Sequence, residues 1–292
     1  MDDALLEQIK LDLHQAGGGP LVLCEGPENG RDRLVYSAWS RAQRQVVAFR
    51  GVQGCTQVVK CVSEIRAEEP YLRVHGIVDR DYGRVGTPGV EQPGGEFIHT
   101  LRGHCIENYL LDPEGWAAVA ARLHRLKGPP EGWRKPDEVR QRILDFYQAA
   151  VPVTALNIAI HELSTLHRDS QSFRPARFRQ SITAARTRED AVDQGRNWAV
   201  RSGQADRASE LIGGTVDTLL SLADPDELAL SVSGKLVLEQ LVAELSPEQP
   251  RRGRYRTDDE LIGLYLSDCP QPPAEIATLL RRISLGESVA GA

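Results

Sequence analysis

Leu21-Val22-Leu23-Cys24-Glu25-Gly26 and Val74-His75-Gly76-Ile77-Val78-Asp79-Arg80-Asp81 are two short, largely apolar runs that each end on a carboxylate. Runs of this length suit strands buried on both faces. Working outward, Asp32 to Arg44 has helical spacing. Gln45 to Phe49 reads as a second strand ended by Arg50-Gly51. Thr56 to Ala67 reads as a helix with Val58, Val59, Val62 and Ile65 on its inner face, and Phe97 to Leu101 as a fourth strand. Residues 1–16 form an amphipathic helix through Leu5, Leu6, Ile9 and Leu13, stopped by Gly17-Gly18-Gly19-Pro20. Strands alternating with helices of this length predict βαβ units and a mainly parallel sheet.

In an open parallel sheet the carboxyl ends of the strands form the ligand-binding edge. Glu25, Asp79 and Asp81 would converge there. Two residues apart on extended chain, Asp79 and Asp81 point to the same side. Like charges brought together repel unless a cation neutralises them, and hard oxygen ligands suit Mg²⁺ or Mn²⁺. The chemistry that uses such a site is phosphodiester or phosphoanhydride transfer. Taken singly, each strand-end acid is also an ordinary turn or cap residue. Glu107, inside Cys105-Ile106-Glu107-Asn108-Tyr109-Leu110-Leu111, is either a solvated helix residue or another carboxylate aimed at the same cleft.

Beyond about residue 115 strand-like runs become rare. Helical patterns cover 115–126, 137–149, 153–168, 204–223, 234–245, 258–267 and 273–285. The expected architecture is α/β: a mainly parallel sheet flanked by helices over residues 1–115, then a mostly α-helical second half over 116–292. The 292 residues carry 35 Lys+Arg against 41 Asp+Glu, a net charge of −6, with 41% hydrophobic and 26% charged. That composition excludes a disordered chain, a collagen-like fibre and a membrane bundle. No unbroken apolar run approaches the roughly 18–20 residues of a bilayer span, and MDDALLEQIK does not read as a signal peptide, so a cytoplasmic protein is expected. Five cysteines without a C-x-x-C pair argue against a disulfide framework or structural zinc. Only five basic residues are Lys and thirty are Arg, which raises the interest of each Lys.

The ordered set of Cys24-Glu25-Gly26, Gly51, Gly76-Ile77-Val78-Asp79-Arg80-Asp81 and Ile106-Glu107-Asn108-Tyr109-Leu110-Leu111 resembles the DUF4435 family. That family is a branch of the TOPRIM superfamily near the OLD-type nucleases, and it includes the TOPRIM effector subunit of PARIS anti-phage systems. The resemblance covers roughly residues 20–115, together with Ser233-Gly234-Lys235, similar to a late Gly-Lys element. It implies a TOPRIM fold and a divalent-metal site. Glu25 would act as general acid/base or metal ligand, Asp79 and Asp81 would bind Mg²⁺ (or Mn²⁺), and Glu107 matches the acid of the E-N-Y-L element. Lys235 would stabilise charge at the scissile phosphate. The family places an Asp four residues after the first Glu, where this chain has Asn29. Asp32, followed four residues later by Tyr36, restores the register after an insertion around Pro27–Gly30, with Glu28 as the fallback; the resemblance thus implies that Asp32 and Glu107 complete the acidic, metal-binding cleft.

Other signals are set aside. His161-Glu162 lacks the second His of H-E-x-x-H, and Ser233-Gly234-Lys235 lacks the remainder of a P-loop, so ATPase activity would come from a partner protein. Two Arg-rich stretches hold aromatics: Arg174, Arg177 and Arg179 with Arg186 and Arg188 beside Phe173 and Phe178, and Arg251, Arg252, Arg254 and Arg256 around Tyr255. Arg beside aromatics suits phosphate and unpaired bases; a solvated face or protein interface is the plain alternative. The combined expectation is a metal-dependent nuclease acting on tRNA or DNA, an anti-phage effector with an ATPase partner and a homodimeric state, and no membrane association. The alternatives are a non-catalytic regulatory or binding subunit of an ATPase-containing complex, and a phosphoryl or nucleotidyl transferase on a small nucleotide.

Overall fold

The computed structural model describes residues 3–15, 17, 19–80, 96–125, 128–165, 185–222, 224–245 and 258–289. Among them β1 (Leu21–Cys24), β2 (Ala48–Gly51), β3 (Val74–Val78) and β4 (Ile98–Thr100) form one sheet, ordered β2-β1-β3-β4 and parallel throughout. Leu21 pairs with Ala48 on one side and Val74 on the other. The chain leaves β1 through α2 (Arg31–Ala42) to reach β2, then returns across β1 through α3 (Cys55–Glu68) to β3. Right-handed crossovers running in opposite directions place α2 and α3 on opposite faces. The packing agrees. α1 (Asp3–Gln15) and α3 bury Leu6, Ile9, Leu13, Val58, Val62 and Ile65 with Leu21, Leu23, Val74 and Val78. Tyr36 of α2 stacks on Phe49 of β2, with ring centroids 5.7 Å apart.

The second strand differs from expectation. Ala48–Gly51, not 45–49, pairs with β1, and Val46 is left 84% exposed. Arg50 looked like a strand terminator, yet it is buried inside the strand because Asp12 of α1 accepts from its guanidinium. A neutralising partner is what makes such burial tolerable.

The helical elements are α4 (Pro113–Leu123), α5 (Pro136–Thr165), α6 (Arg188–Ala199), α7 (Ala205–Leu220), α8 (Pro225–Ser231), α9 (Gly234–Leu245), α10 (Asp258–Asp268) and α11 (Ala274–Leu285). The two helices expected at 137–149 and 153–168 are one helix, α5, running through Pro152. Proline removes one ladder hydrogen bond, and the burial of Val151, Val153, Ala155 and Leu156 around it holds the helix together. By length and composition Pro136–Leu163 is apolar enough to cross a membrane, although no unbroken run is; 67% of its most apolar stretch is buried inside the protein, as in a core helix.

The described residues within Met1–Asp79, Gly89–Arg102 and Arg252–Ala292 form one compact unit, and those within Arg80–Pro88 and Gly103–Arg251 a second. The change of composition near residue 115 is therefore not where the compact units divide. In the first unit α10 and α11 join the sheet module. Arg73 donates to the carbonyls of Ile283 and Ser284 at the end of α11, at 2.9 and 2.7 Å, where a cation also complements the helix dipole. The Val289 amide donates to the Glu96 carbonyl at 3.0 Å. In the second unit α5 is the central helix, packed by α4, α6, α7, α8 and α9.

Candidate functional site

In the first unit the carboxyl end of β1 runs into Glu25-Gly26-Pro27, and the turn after β2 clamps this segment. The amides of Val52, Gln53 and Gly54 donate to the carbonyls of Cys24, Gly26 and Glu25 at 2.9, 3.2 and 2.7 Å. The turn requires left-handed backbone at Gln53 (φ 62°) and Gly54 (φ 116°). Gly51 is there for space: a Cβ at that position would lie 2.2 Å from the Pro27 carbonyl oxygen.

Glu25 leaves β1 and Asp79 leaves β3, and the two strands are parallel neighbours. Helices leave β1 and β2 on opposite faces, so this is the topological switch point of the sheet, where ligands of doubly wound folds bind. The Asp79 amide donates to Glu25 Oε1 at 2.8 Å. Asp32, in the first turn of α2, accepts from the Gly26 amide through Oδ2 at 2.9 Å. All three carboxylates are half-buried. Their field is felt by Cys24 beneath them. Burial pushes its thiol pKa up, and Asp32, Asp79 and Glu25 each push it further. The other residues weighed for the Asp32 position face elsewhere: Asn29 accepts from Arg33 at 3.1 Å, and Glu28 stands 3.8 Å from Arg50.

The sequence reading missed Glu275, in the first turn of α11. Its Oε1 meets His99 Nε2 and accepts from the Arg102 amide, each at 3.0 Å. No periodicity in the sequence announces a carboxylate brought to the carboxyl end of β4 from so far along the chain.

The second unit contains Glu107 and Lys235. Glu107 is buried, on the 3-10 helix Ile106–Leu110. Lys235 is exposed in the first turn of α9. Their neighbours hold the two elements together. Asn108 Oδ1 accepts from the amides of Cys105 and Gly234, at 3.0 and 3.2 Å. Asn108 Nδ2 donates to Tyr147 and to the carbonyls of Ala229 and Val232. A Cβ on Gly234 would lie 2.4 Å from the Asn108 amide nitrogen. Glu107-Asn108 and Gly234-Lys235, two separate fragments of the sequence pattern, thus meet inside one unit. α9 continues along a groove of about 500 Å³ lined by Ala150 and Val153 of α5, Arg186, Leu236 and Gln240.

Asp81, Arg174, Arg177, Arg179, Arg251, Arg252, Arg254 and Arg256 lie outside the described residues. Among the described residues no three His, Cys, Asp or Glu side chains stand close enough to enclose a metal ion. The donor set at the β1/β3 edge is nevertheless hard oxygen. Mg²⁺ is ordinarily bound by one or two carboxylates plus waters and substrate phosphates, without an all-protein cage. No family model matches the chain, and no curated protein matches it.

Proposed function

We propose that the chain is a divalent-metal-dependent nuclease that hydrolyses phosphodiester bonds of tRNA or DNA, acting in the cytoplasm as an anti-phage effector. One observation carries the reading. Glu25 and Asp79 stand side by side at the β1/β3 switch point, joined by a hydrogen bond, with Asp32 bracing the same loop. In this reading Glu25 and Asp79, together with Asp81, hold Mg²⁺ or Mn²⁺. The bound ion would polarise the phosphate and lower the pKa of its water. Glu25 also accepts the proton of the attacking water. Asp32 keeps the Glu25-Gly26 backbone in place. The resemblance assigns Glu107 to the acidic set and Lys235 to neutralising the developing charge on the phosphate, a task suited to preorganised cations. The Arg-rich stretches at 174–188 and 251–256 would hold the nucleic-acid backbone. An ATPase partner and a homodimer belong to the same proposal.

A second reading is a regulatory subunit with a degenerate metal site, and the engagement of Glu25 Oε1 by the Asp79 amide supports it. The test is cleavage of total tRNA, single-stranded DNA and plasmid by the purified chain with Mg²⁺ or Mn²⁺, beside Asp79→Ala. Metal-dependent cleavage that drops at least about 100-fold in the variant is expected. A folded parent protein that neither cleaves nor binds Mn²⁺ would remove the nuclease reading and leave the regulatory one.

A further inference from the structure

Among the described residues β2 is an edge strand, paired with β1 on one side only. The Ala48 amide donates to the Pro20 carbonyl at 3.0 Å and the Val52 amide to the Cys24 carbonyl at 2.9 Å, so the even-numbered positions bond towards β1. Alternation along the strand turns the backbone N–H and C=O groups of Val47 and Phe49 the other way. Neither residue has a hydrogen bond on that side among the described residues. Edges of this kind are ordinarily blunted by charged side chains or proline. Val46-Val47-Ala48-Phe49 contains neither, and Val46 is exposed. The edge opens on a groove of about 520 Å³, where Val46 to Phe49 are joined by Arg33, Ser37, Arg41 and Gln45.

The chemistry of the groove selects its occupant. Its charged lining is two arginines and no carboxylate. Arg41 is exposed and makes no ion pair with a described residue. Arg33 places Nη1 on the Glu28 carbonyl and on Asn29 Oδ1, at 3.3 and 3.1 Å, which leaves its other guanidinium donors for a ligand. The occupant therefore carries negative charge. Gln45 Oε1 is buried and has no hydrogen-bond partner among the described residues, and the outward carbonyls of the strand are acceptors as well. A nucleic-acid phosphate offers only acceptors and would leave these groups unmet. A peptide backbone alternates donors and acceptors as the strand edge does. We propose that the outer edge of β2 is a docking site for an acidic, extended segment of a partner protein, which adds to the sheet as a further strand. Arg33, Ser37 and Arg41 follow one another at four-residue steps on one face of α2, so Arg33 and Arg41 are about 12 Å apart along the helix. Four residues of strand cover about 13 Å. The matching segment carries two carboxylates four residues apart, which the pleat places on the same side. A second copy of this chain fits less well, because twofold pairing of β2 with itself would set two arginine-lined grooves against each other. The proposal does not rest on the nuclease reading, whose residues Glu25 and Asp79 stand at the ends of β1 and β3.

The test is fluorescence anisotropy of the full chain with a labelled peptide of alternating valine and threonine that carries two glutamates four residues apart. Saturable binding is expected, weakened at least about tenfold by Arg41→Glu. The same peptide with lysines in place of the glutamates should not bind. Val47→Pro removes an outward-facing amide and leaves the β1–β2 ladder intact. It too should weaken binding at least about tenfold, with the melting temperature kept. If Val47→Pro does not fold, Ala48→Pro cannot replace it, because that amide bonds β1; isotope-edited infrared spectra of the bound peptide then read strand addition directly. A folded parent chain that ignores the glutamate peptide, or binds the glutamate and lysine peptides alike, overturns the proposal. So does binding that Arg41→Glu weakens and Val47→Pro leaves alone, or a bound peptide without strand absorption, since the contact would then be charge without strand addition. A single-stranded oligonucleotide that displaces the peptide and is itself weakened by Arg41→Glu would assign the groove to nucleic acid. Self-association of the parent chain in sedimentation, abolished by Val47→Pro, would assign the edge to a second copy. Either result overturns the proposal. None of these readouts uses cleavage, so the failure of the nuclease reading and the failure of this one are told apart.

Discussion

At the scale of single residues, the acids at the strand ends were legible because an abrupt apolar-to-carboxylate step needs no tertiary information. Asp32 was reached by counting to Tyr36, and the structure sets it against Gly26. Arg50, Glu275 and the junction at Asn108 were not legible, because each depends on a partner far along the chain: Asp12, His99 and Gly234. Buried histidines are likewise silent in sequence. His75, in the middle of β3, is 1% exposed, and neither ring nitrogen has a hydrogen-bond partner among the described residues. Phe97 meets it edge-on at 5.9 Å, and Arg66 sits over the Phe97 ring. Burial, then Arg66 and Arg73, push its pKa down to about 4. His104 is lowered to about 4 by burial and Arg80. The unfolded chain, at the ordinary value near 6.5, binds these protons first, so stability falls as the pH drops from about 6.5 towards 4. Each site contributes roughly 3 kcal/mol of that loss. Urea midpoints at pH 7 and 4.5 should show the fall, and His75→Leu should flatten it. An unchanged slope in that variant would contradict the assignment.

At the scale of elements, β1 and β3 have the bounds expected from the sequence, because hydrophobic runs between turn residues are strong signals. β2 slid by a few residues, since the buried Arg50 reads as a terminator. Two helices escaped notice. α6 buries Ala191, Gly195 and Ala199, a face of small residues that hydrophobic periodicity scarcely registers. That face has a structural use: a Cβ on Gly195 would lie 2.0 Å from Ile212 Cδ1 of α7. The two helices pack closely because neither side can add an atom. Gly195→Ala is expected to destabilise the protein by about 1–3 kcal/mol through overpacking. Ile212→Val, which deletes the opposing methyl, should recover most of this in the double variant, as read by thermal melting. Independent, additive losses would contradict the contact.

At the scale of the whole molecule, the fold class was legible and the division of the chain was not, because composition changes along the sequence while packing does not follow it. The first unit is discontinuous. Arg73 meets α11, His99 meets Glu275, and Leu279, Leu280 and Ile283 are buried. A fragment of residues 1–115 therefore lacks part of its own core. It is expected to show no cooperative melt by circular dichroism, whereas residues 1–102 joined by a flexible linker to 258–289 should show one. A sharp transition in the shorter fragment would contradict the account. The same discontinuity sets a schedule for biosynthesis. Translation proceeds at roughly 5–20 residues per second, so the ribosome takes on the order of ten seconds to pass from β4 to the helices that close the sheet module. During that interval the acidic strand ends are attached to an incomplete scaffold. The nascent chain must stay out of aggregates by chaperone contact or by prior folding of its middle section, and the carboxylate edge at the ends of β1 and β3 is among the last parts of the protein to become firm.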